Sequence, residues 1–585
     1  MQTTLNQLSP MISHLNYHFA KFINRIALSA SDELSLAAAM VSYWTERGHI
    51  CICLDDFASM PVRDAFEIHQ IEQPVTFPVL DKWITTLMES GVVGRPGEKK
   101  PLIFDSRNRL YLYRYYAYEN ELAKQLINRA TQDISGLYLS GLAKFMNRLF
   151  ANDLPDSPQR QATEIAINKK LCIVSGGPGT GKTTVAAKII AAIIHVSETP
   201  PQIDLTAPTG KAAQRLQESL IHAKESLDCS PEILASMPKS AKTIHRLLGP
   251  VYRSPYFKHH AENPLPSDAV IVDEASMIDL ALMSKLISAL RPESRLIILG
   301  DKDQLASVDP GAVLGDICSQ KQSALQSCTV YLHKNYRFGE SSGIFQASTA
   351  INTGDSASAM RIVKNTSDIS WKSLDQITNI KTSLWELIKN QINYLSQKNP
   401  RDALNAFNAF RILCAVKKGP FGVLQMNSYV TEILKSKKLI DPVKRWYHGR
   451  PIMITQNDPI IGLYNGDIGL IFKDKADQNV LKAFFIGADN VIKKYLPARL
   501  PEHETVYAMT VHKSQGSEFN HILLVLPEKQ SKVLTRELLY TGITRTKKHI
   551  DIWGMPDTFC AAIQKQIYRQ SGLSDAICQS SKEKI

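Results

Sequence analysis

The chain has 585 residues, which is too long for one hydrophobic core and predicts three or four domains. Its content of 44% hydrophobic and 21% charged residues is typical of an ordinary soluble globular protein, and its longest apolar runs, such as 189–194, are too short to span a bilayer, so no membrane association is expected. The excess of 68 Lys and Arg over 56 Asp and Glu gives a net charge of +12 and modestly favours a polyanionic partner.

The amino-terminal sequence and the cysteines predict the cellular compartment of the protein. Residues 1–6 lack the basic and apolar segments of a signal peptide, and the nine cysteines include no C-x-x-C pair. We therefore expect a cytoplasmic protein with reduced thiols and without a zinc site.

The first predicted domain, residues 1–130, is mainly helical and carries no chemical motif. Helices are predicted at 27–44 and 77–88, and residues 109–116 alternate as in a strand. The aromatic residues of this strand could stack on bases, but packing of a sheet against helices is the simpler interpretation. A domain of this kind, placed ahead of an enzymatic region, is expected to bind a partner.

The second predicted domain, residues 131–325, begins with a predicted helix at 135–150 and then repeats strand, loop and helix. This repeat predicts an α/β fold with a parallel sheet and helices on both faces. The predicted strands are 171–174, 203–207, 269–273 and 295–299.

The third predicted domain, residues 326–585, contains a polar segment at 355–380, which we expect to be a loop-rich linker, and a second α/β region. Between about 445 and 505, short β-rich runs with a turn at 465–467 predict a small β-barrel inserted in this region. The predicted strands of the α/β region lie near 411–416, 521–526 and 549–553.

The most informative segment is 175–184, which matches the phosphate-binding motif G-x-x-x-x-G-K-[ST]. It lies between the predicted strand 171–174 and a predicted helix at 185–196, so glycine N–H groups and a helix dipole would surround an anion. Lys182 would reach the β- and γ-phosphates of ATP, and the Thr183 hydroxyl would bind Mg²⁺; a glycine-rich turn without a ligand is the alternative. The predicted ATP-binding residues of this loop are Gly176, Gly177, Pro178, Gly179, Thr180, Gly181, Lys182, Thr183 and Thr184.

Two strand ends further along the chain carry polar side chains. Asp273 and Glu274 follow the apolar run 269–272; Asp273 would hold Mg²⁺, and Glu274 would polarise the attacking water as a general base. Gln304 could sense the γ-phosphate, although a plain turn at a strand end explains it equally well.

Hydrolysis also requires positive charge on the transferring phosphoryl group. Arg337 and Arg545 are candidates, and both lie in the predicted third domain. If they complete the site, ATP lies between two domains, so that binding closes a cleft and hydrolysis opens it.

These segments, in this order, resemble the motifs of the superfamily 1 helicases. Within superfamily 1B the chain closely resembles the RecD family, whose members are the alpha subunit of the bacterial RecBCD enzyme (exodeoxyribonuclease V). The resemblance covers about 155–555, with a weaker match before it. The segments that carry it are 157–161, 175–184, 206–211, 243–249, 273–276, 332–338, 449–458, 462–469, 510–519 and 539–545.

The resemblance implies two RecA-like P-loop NTPase domains and a role for individual residues. Gln159 would read the adenine, and Tyr336 would stack on it unless it is a core tyrosine. The implied ATPase site comprises Lys182, Thr183, Asp273, Glu274, Gln304, Arg337 and Arg545. The implied contacts with single-stranded DNA are Thr206, Pro208, Thr209, Thr243, His245, Thr510 and His512, although such threonines and histidines often have structural roles.

The resemblance also implies an activity and partners. The chain would be an ATP-dependent and Mg²⁺-dependent 5′–3′ DNA translocase and helicase that acts on single-stranded DNA and DNA ends. It would work in the bacterial cytoplasm with RecB-like and RecC-like subunits, in double-strand-break repair and degradation of linear DNA, and its N-terminal domain would contact the RecC-like subunit. No segment resembles a nuclease motif. The alternatives are a free-standing RecD-like helicase and an NTP-dependent scaffold or switch that does not unwind DNA.

Overall fold

The computed structural model describes residues 4–67, 75–134, 140–151, 153–319, 323–339, 341–442, 444–458, 460–487 and 491–582. The N-terminal region is mainly helical, as predicted, and includes a small mixed sheet with the strand order β1–β4–β3–β2. Its helices and strands are α1 (Thr4–Leu8), α2 (His14–Ile26), α3 (Asp32–Glu46), β1 (Cys51–Cys53), α4 (Val62–Ala65), α5 (Leu80–Glu89), β2 (Val93–Gly94), β3 (Leu102–Phe104), β4 (Arg109–Leu112) and α6 (Tyr113–Ala130).

Helix α3 lies at the centre of this region. It begins later than the predicted 27–44 because Ser31 caps it, with the Ser31 Oγ accepting the N–H of Leu34, and because Asp32 and Glu33 place negative charge at the positive end of the helix dipole. Most of its side chains are buried against α2, α5 and β1, so the helix is held by packing rather than by propensity.

The first α/β region contains a fully parallel sheet with the order β10–β5–β9–β8–β6–β7, which confirms the predicted α/β fold. Strand β10 lies beyond residue 325 and still belongs to this sheet. The elements are α7 (Leu142–Leu149), α8 (Pro158–Asn168), β5 (Leu171–Gly176), α9 (Lys182–His195), β6 (Ile203–Ala207), α10 (Gly210–Glu225), α11 (Pro231–Ser236), β7 (Ala241–Thr243), α12 (Ile244–Leu248), β8 (Ala269–Val272), α13 (Leu280–Ser288), β9 (Arg295–Gly300), α14 (Val313–Cys318) and β10 (Thr329–Leu332).

The second α/β region contains another parallel sheet, with the order β11–β20–β19–β12–β18. Both α/β regions therefore have the RecA-like architecture that the sequence predicts. The elements are α15 (Gly343–Thr353), α16 (Ser356–Asn365), β11 (Ile369–Ser373), α17 (Ile380–Ile388), α18 (Pro400–Asn408), β12 (Phe410–Cys414), α19 (Val423–Ser436), β13 (Pro451–Ile454), β14 (Ile468–Asp474), β15 (Val480–Ile486), β16 (Ile492–Tyr495), β17 (His503–Thr505), β18 (Ala508–Thr510), β19 (Phe519–Val525), α20 (Arg536–Ile543), β20 (Thr546–Gly554), α21 (Pro556–Gln564) and α22 (Leu573–Lys582).

The β-rich insertion predicted near 445–505 is a separate antiparallel sheet. Its strands pair in the order β16–β15–β14–β13–β17 and enclose a small apolar cluster around Ile452, Ile471 and Phe485. Closure of this sheet into a barrel stays a prediction. The insertion also contacts the first α/β region, because Gln214 Nε2 on α10 donates a hydrogen bond of 3.4 Å to the carbonyl of Gly487.

The segment 565–572, which follows α21, crosses from the second α/β region to the rest of the molecule. Arg569 donates hydrogen bonds to the carbonyls of Ser307, Asp309 and Gly311, at 2.6, 3.0 and 2.8 Å. The next residue, Gln570, bonds to the N-terminal region, where its carbonyl accepts the N–H of Ile50 at 2.8 Å. Helix α22 then packs against α6, so the carboxyl-terminal segment connects all three regions.

The strand predicted at 109–116 is wrong in its second half. Strand β4 ends at Leu112, where its pairing with β3 also ends, and helix α6 begins at Tyr113. Buried residues at 119, 122, 123, 126, 127 and 130 repeat with the period of a helix that packs against α13 and α22. The tyrosines at 113, 115, 116 and 118 alternate with other residues over a short stretch, and this local pattern suggested a strand where the chain forms a helix.

The loop-rich linker predicted at 355–380 is also wrong. Asp355 caps helix α16 by accepting the N–H of Ser358, and Ala359 and Val363 are buried on one face of that helix. Strand β11 follows and pairs in parallel with β20. Of the helix predicted at 135–150, residues 135–139 lie outside the described residues, and the described helix α7 begins at Leu142 after Gly141 in a left-handed conformation.

Candidate functional site

The glycine loop joins a buried strand to the start of a helix, as predicted. All residues of β5 are buried, and α9 begins at Lys182, three residues earlier than predicted. Gly179 and Gly181 have φ values of +84° and +85°, a left-handed conformation that favours glycine and lets the loop fold back over the helix N-terminus. The Lys182 Nζ donates hydrogen bonds to the carbonyls of Gly176 and Gly177, at 2.5 and 3.1 Å, and so lies over the loop.

A cavity of about 680 Å³ opens beside this loop, between the two RecA-like domains. This volume is in the usual range for a small-molecule site. The predicted site residues that line it are Pro178, Gly179, Gly181, Lys182, Thr183, Thr184, Asp273, Glu274, Gln304, Tyr336, Arg337 and Arg545. The two candidate arginines therefore line the same cavity as the glycine loop.

The paired carboxylates lie at the end of strand β8. The Asp273 Oδ1 accepts the N–H of Glu274 at 2.8 Å, and Glu274 has a φ of +52°, an unfavourable conformation for a residue with a side chain. Burial, and then the charge of Glu274, raise the pKa of Asp273, while Lys182 opposes this. A divalent cation beside Asp273 would favour the ionised carboxylate, so this donor set fits Mg²⁺.

A hydrogen-bonded chain crosses the cleft on one side of the cavity. Asp301 accepts bonds from Tyr540 Oη at 3.0 Å and from Gln304 Nε2 at 2.9 Å, and Gln304 Oε1 accepts a bond from Arg545 Nη2 at 2.7 Å. Asp301 and Gln304 belong to the first RecA-like domain, whereas Tyr540 and Arg545 belong to the second. The strand end that carries Gln304 is thus bonded directly to the other domain.

An ion cluster also crosses the cleft. Glu518, which precedes β19, pairs with Arg215 of α10 and with Arg337, and Lys547 lies 3.6 Å away. Burial acts to raise the pKa of Glu518, but Arg215 and Arg337 outweigh it and lower the pKa to about 2. The Arg337 Nη1 is buried and has no hydrogen-bond partner among the described residues. A guanidinium group with a free donor at the cavity fits an anionic phosphoryl group.

Gln159 and Tyr336 lie next to each other at the loop. Gln159 Nε2 donates to Tyr336 Oη at 3.2 Å, and the Tyr336 N–H donates to the Gly179 carbonyl at 2.8 Å. Tyr336 is 55% exposed, so it is not a core tyrosine; Lys334 Nζ lies 5.2 Å from the centre of its ring, and the exposed part of the ring can contact a flat ligand beside the glycine loop.

The predicted DNA contacts fall into two groups at the edges of the two sheets. Thr206, Pro208, Thr209, Thr243 and His245 lie at or near the ends of β6 and β7, whereas Thr510 is the last residue of β18 and His512 follows that strand. Several of these threonines have local structural roles: Thr209 and Thr243 cap α10 and α12, and Thr510 Oγ1 accepts the N–H of Lys513. Thr206 is fully buried and its hydroxyl donates to the Lys242 carbonyl, so its side chain presents no surface.

Sequence reasoning missed part of the cleft. Arg215 and Lys547 were not identified as site residues, and Glu518 and Tyr540 were recognised only as parts of the runs 510–519 and 539–545. Arg215 lies one helical turn after Lys211 on α10, so a helical projection of the segment that follows 206–211 could have suggested it. The contacts among these cleft residues depend on how the two sheets dock, and no local sequence pattern predicts that.

Comparison with known proteins identifies the family. Residues 9–111 match the family model described as the N-terminal domain of the RecBCD enzyme subunit RecD, residues 159–310 match an AAA domain, and residues 505–550 match a UvrD-like helicase C-terminal domain. The RecBCD enzyme subunit RecD of Mycolicibacterium smegmatis is 33% identical over 580 residues, which cover 97% of this chain and 98% of that protein. This chain belongs to the RecD family.

Two further relatives show how far the similarity extends. The RecBCD enzyme subunit RecD of Haemophilus influenzae is 31% identical over 98% of this chain and 99% of its own length. The ATP-dependent RecD2 DNA helicase of Deinococcus radiodurans is 28% identical over 68% of this chain but only 48% of its own length. The full-length similarity is therefore to RecD chains. Among the described residues, no helix is both long and apolar enough to cross a bilayer.

Proposed function

We propose that this RecD-family chain is an ATP-dependent DNA translocase and helicase that moves 5′ to 3′ on single-stranded DNA as the alpha subunit of a RecBCD-like complex. The observation that carries this proposal is the cavity between the two RecA-like domains. The glycine loop, the two carboxylates and Arg337, which follows β10 and adjoins the glycine loop, line one part of it, and Arg545 reaches it from the second RecA-like domain. A site divided in this way couples the occupancy of a nucleotide to the relative position of two domains.

The residues of the first domain would bind and orient the nucleotide. The backbone N–H groups of the glycine loop and Lys182 would hold the phosphates, and Thr183 and Asp273 would hold Mg²⁺. Bound Mg²⁺ supplies positive charge to the phosphates. Glu274 would accept a proton from the attacking water, and Gln159 with Tyr336 would contact the adenine.

Two arginines, Arg337 next to the glycine loop and Arg545 of the second domain, would respond to the γ-phosphate. Arg337 has a free donor and Arg545 is bonded to Gln304, so both can change partners when an anion enters the cleft. Their positive charge would stabilise the transition state. Exchange of these bonds on each turnover would open and close the cleft, and the threonine-rich loops at the edges of the sheets would transmit that motion to the phosphates of a DNA strand.

A second cavity, of about 440 Å³, adjoins the first and supports an anionic ligand nearby. Lys211, Arg215 and Lys547 line it together with Asp467 of the insertion. Burial is the main cause that lowers the pKa of Lys211 to about 7, repulsion from the neighbouring Arg411 adds to it, and Asp467 opposes it. A backbone phosphate would relieve this repulsion, and the affinity for DNA should therefore fall with salt.

The decisive experiment measures DNA-stimulated ATP hydrolysis and strand displacement by the purified chain on 5′-tailed and 3′-tailed duplexes. We expect both activities with a 5′ tail and little displacement with a 3′ tail. Hydrolysis without displacement on either substrate would favour a switch without unwinding. Isolation of the native chain should recover RecB-like and RecC-like subunits in equal amounts, whereas recovery of the chain alone would favour a free-standing helicase such as RecD2.

A further inference from the structure

Two histidines and an aspartate meet on one face of the second parallel sheet. His521 on β19 is paired in register with His549 on β20, and Asp551 follows two residues later on the same strand, so the three side chains project from the same face. His521 Nε2 lies 2.5 Å from Asp551 Oδ2, and His549 Nε2 lies 3.8 Å from that same oxygen. The three ligand atoms all lie within 4.8 Å of one another, a spacing that could hold a metal ion.

A hydrogen bond between histidine and aspartate explains only part of this cluster. Among the described residues, Asp551 forms ion pairs with His521 and His549 and with no Lys or Arg. Only His521 lies within hydrogen-bonding distance of the carboxylate, although both imidazoles lie beside the same oxygen. An ion between the three side chains would instead use a lone pair of each of them.

The separations suit a tetrahedral ion. Zn²⁺ lies about 2.0–2.1 Å from imidazole nitrogens, so two of its ligand atoms lie about 3.3 Å apart. The observed distances of 2.5 and 3.8 Å lie on either side of this value, and small side-chain rotations would equalise them. Ser370 Oγ on β11 lies 3.1 Å from His549 Nε2, at a place where its hydroxyl or a water could supply a fourth ligand. All three side chains are partly exposed, so an ion can enter from solvent.

The neighbours of the two imidazoles favour the form that binds a metal. His521 Nδ1 lies 3.0 Å from the side-chain amide of Gln391, whose oxygen can accept the Nδ1–H and leave Nε2 free for an ion. Outer partners of this kind orient metal-binding histidines. Burial lowers the pKa of His549, His521 adds to this and Asp551 opposes it, so the His549 imidazole is neutral at pH 7 and can bind a metal.

We propose that His521, His549 and Asp551 form a binding site for one divalent transition-metal ion, with Zn²⁺ as the best fit. Zn²⁺ accepts two imidazoles and a carboxylate, whereas Mg²⁺ prefers oxygen ligands. The sequence-based expectation that the chain has no zinc site rested on its cysteines, and this site contains none. The ion would clip β19 to β20 close to the cleft, because Glu518 immediately precedes β19 and Arg545 immediately precedes β20. The site does not depend on the proposed function.

The test titrates Zn²⁺ into the purified full-length chain after treatment with a chelator, with excess Mg²⁺ present to occupy oxygen-only sites. Calorimetry of the wild type should show one Zn²⁺ bound per chain at this site. His549→Gln removes a ligand and should weaken binding by about 100-fold or more, since loss of an outer partner alone costs about 10–100-fold. The matched control is His260→Gln, which changes an exposed histidine of the first α/β region and should bind as the wild type does.

Two further measurements separate this site from loose binding at the surface. Co²⁺ in place of Zn²⁺ should give the visible absorption of a tetrahedral ion in the wild type, and His549→Gln and Asp551→Asn should lose it. Saturating Zn²⁺ should raise the thermal midpoint of the wild type by about 3 °C or more and leave that of both variants unchanged.

Circular dichroism without metal shows whether each variant folds, and Asp551→Asn carries the comparison if His549→Gln does not. A folded ligand variant that binds Zn²⁺ as tightly as the wild type overturns the proposal. So does a wild-type chain that binds no Zn²⁺. Neither result bears on ATP hydrolysis, which the same preparations report separately with Mg²⁺ and DNA.

Discussion

At the scale of single residues, Lys182 is the side chain on which nucleotide binding depends most. Its ammonium group now bonds to two loop carbonyls, which a phosphate would replace as a stronger partner. We expect Lys182→Gln to reduce the kcat for ATP by about 10²-fold or more, with an unchanged circular dichroism spectrum. The exposed Lys239→Gln is the control. Normal turnover by Lys182→Gln would mean that the glycine loop does not hold the phosphates.

Arg545 should act on the transition state rather than on binding. It is 1% exposed, and its Nη2 reaches Gln304 across the cleft while its Nε bonds to the Thr541 carbonyl. We expect Arg545→Ala to lower kcat by about 10²–10³-fold with little change in the Kd for ATP, measured by single-turnover kinetics and equilibrium titration. Arg545→Lys should recover only part of the rate, because an ammonium group cannot reach both partners. Weaker binding with an unchanged kcat would place Arg545 outside the reaction.

At the scale of elements, one carboxylate connects pieces of both RecA-like domains. Glu518 precedes β19, Arg215 lies on α10, and Arg337 follows β10. The two guanidinium groups hold the pKa of Glu518 at about 2, below the value of about 4.3 expected for an unfolded chain. The stabilisation by this cluster is therefore complete above about pH 4.3 and is lost as the pH falls from there through about 2.

This pH dependence can be measured by comparison with a neutral variant. Between about pH 5 and pH 3, the thermal midpoint of the wild-type chain should fall more steeply than that of Glu518→Gln, which has no ionised form to lose. The exposed Glu528→Gln should follow the wild type. Parallel curves for wild type and Glu518→Gln would show that the cluster does not stabilise the docked domains.

The elements also show how much of the fold the sequence could predict. The central strands β5, β6, β8 and β9 are apolar and bounded by turns, and their positions were predicted to within two residues. Edge strands β7, β10, β11 and β18 were missed, because they have three to five residues and are defined by pairing with distant strands. The glycine loop was predictable because its chemistry is local. The contacts of Arg337 and Arg545 were not, because they follow from the docking of two sheets.

At the scale of the whole molecule, the segment 565–572 links the cleft to the N-terminal region. Arg569 bonds to the loop 305–311, which begins just after Gln304, and the carbonyl of Leu305 in that loop accepts a bond from Gln515 of the second RecA-like domain. The same arginine lies against Gly48, where an added Cβ would come within 2.8 Å of its guanidinium carbon. The N-terminal region is therefore in contact with a loop that is bonded to both RecA-like domains.

Arg569→Ala tests this link, with its exposed neighbour Tyr568→Ala as the control. Loss of three carbonyl partners should free the loop 305–311, so amide hydrogen exchange there should become about tenfold faster or more. ATP turnover should fall less than in Arg545→Ala, because Arg569 does not line the cavity. If amide hydrogen exchange in the loop 305–311 of the Arg569→Ala variant is unchanged, other contacts hold that loop in place.

The position of α22 has a consequence for how the chain is made. Leu573 and Ile577 cover part of α6, yet α22 is synthesised after the more than 400 residues that separate the two helices. At ordinary translation rates of about 5–20 residues per second, the apolar surface of α6 that α22 covers stays exposed for roughly 20–90 s. The packing of the amino-terminal region is thus complete only when α22 leaves the ribosome, and a nascent chain that stalls before that point exposes its α6 surface to chaperones.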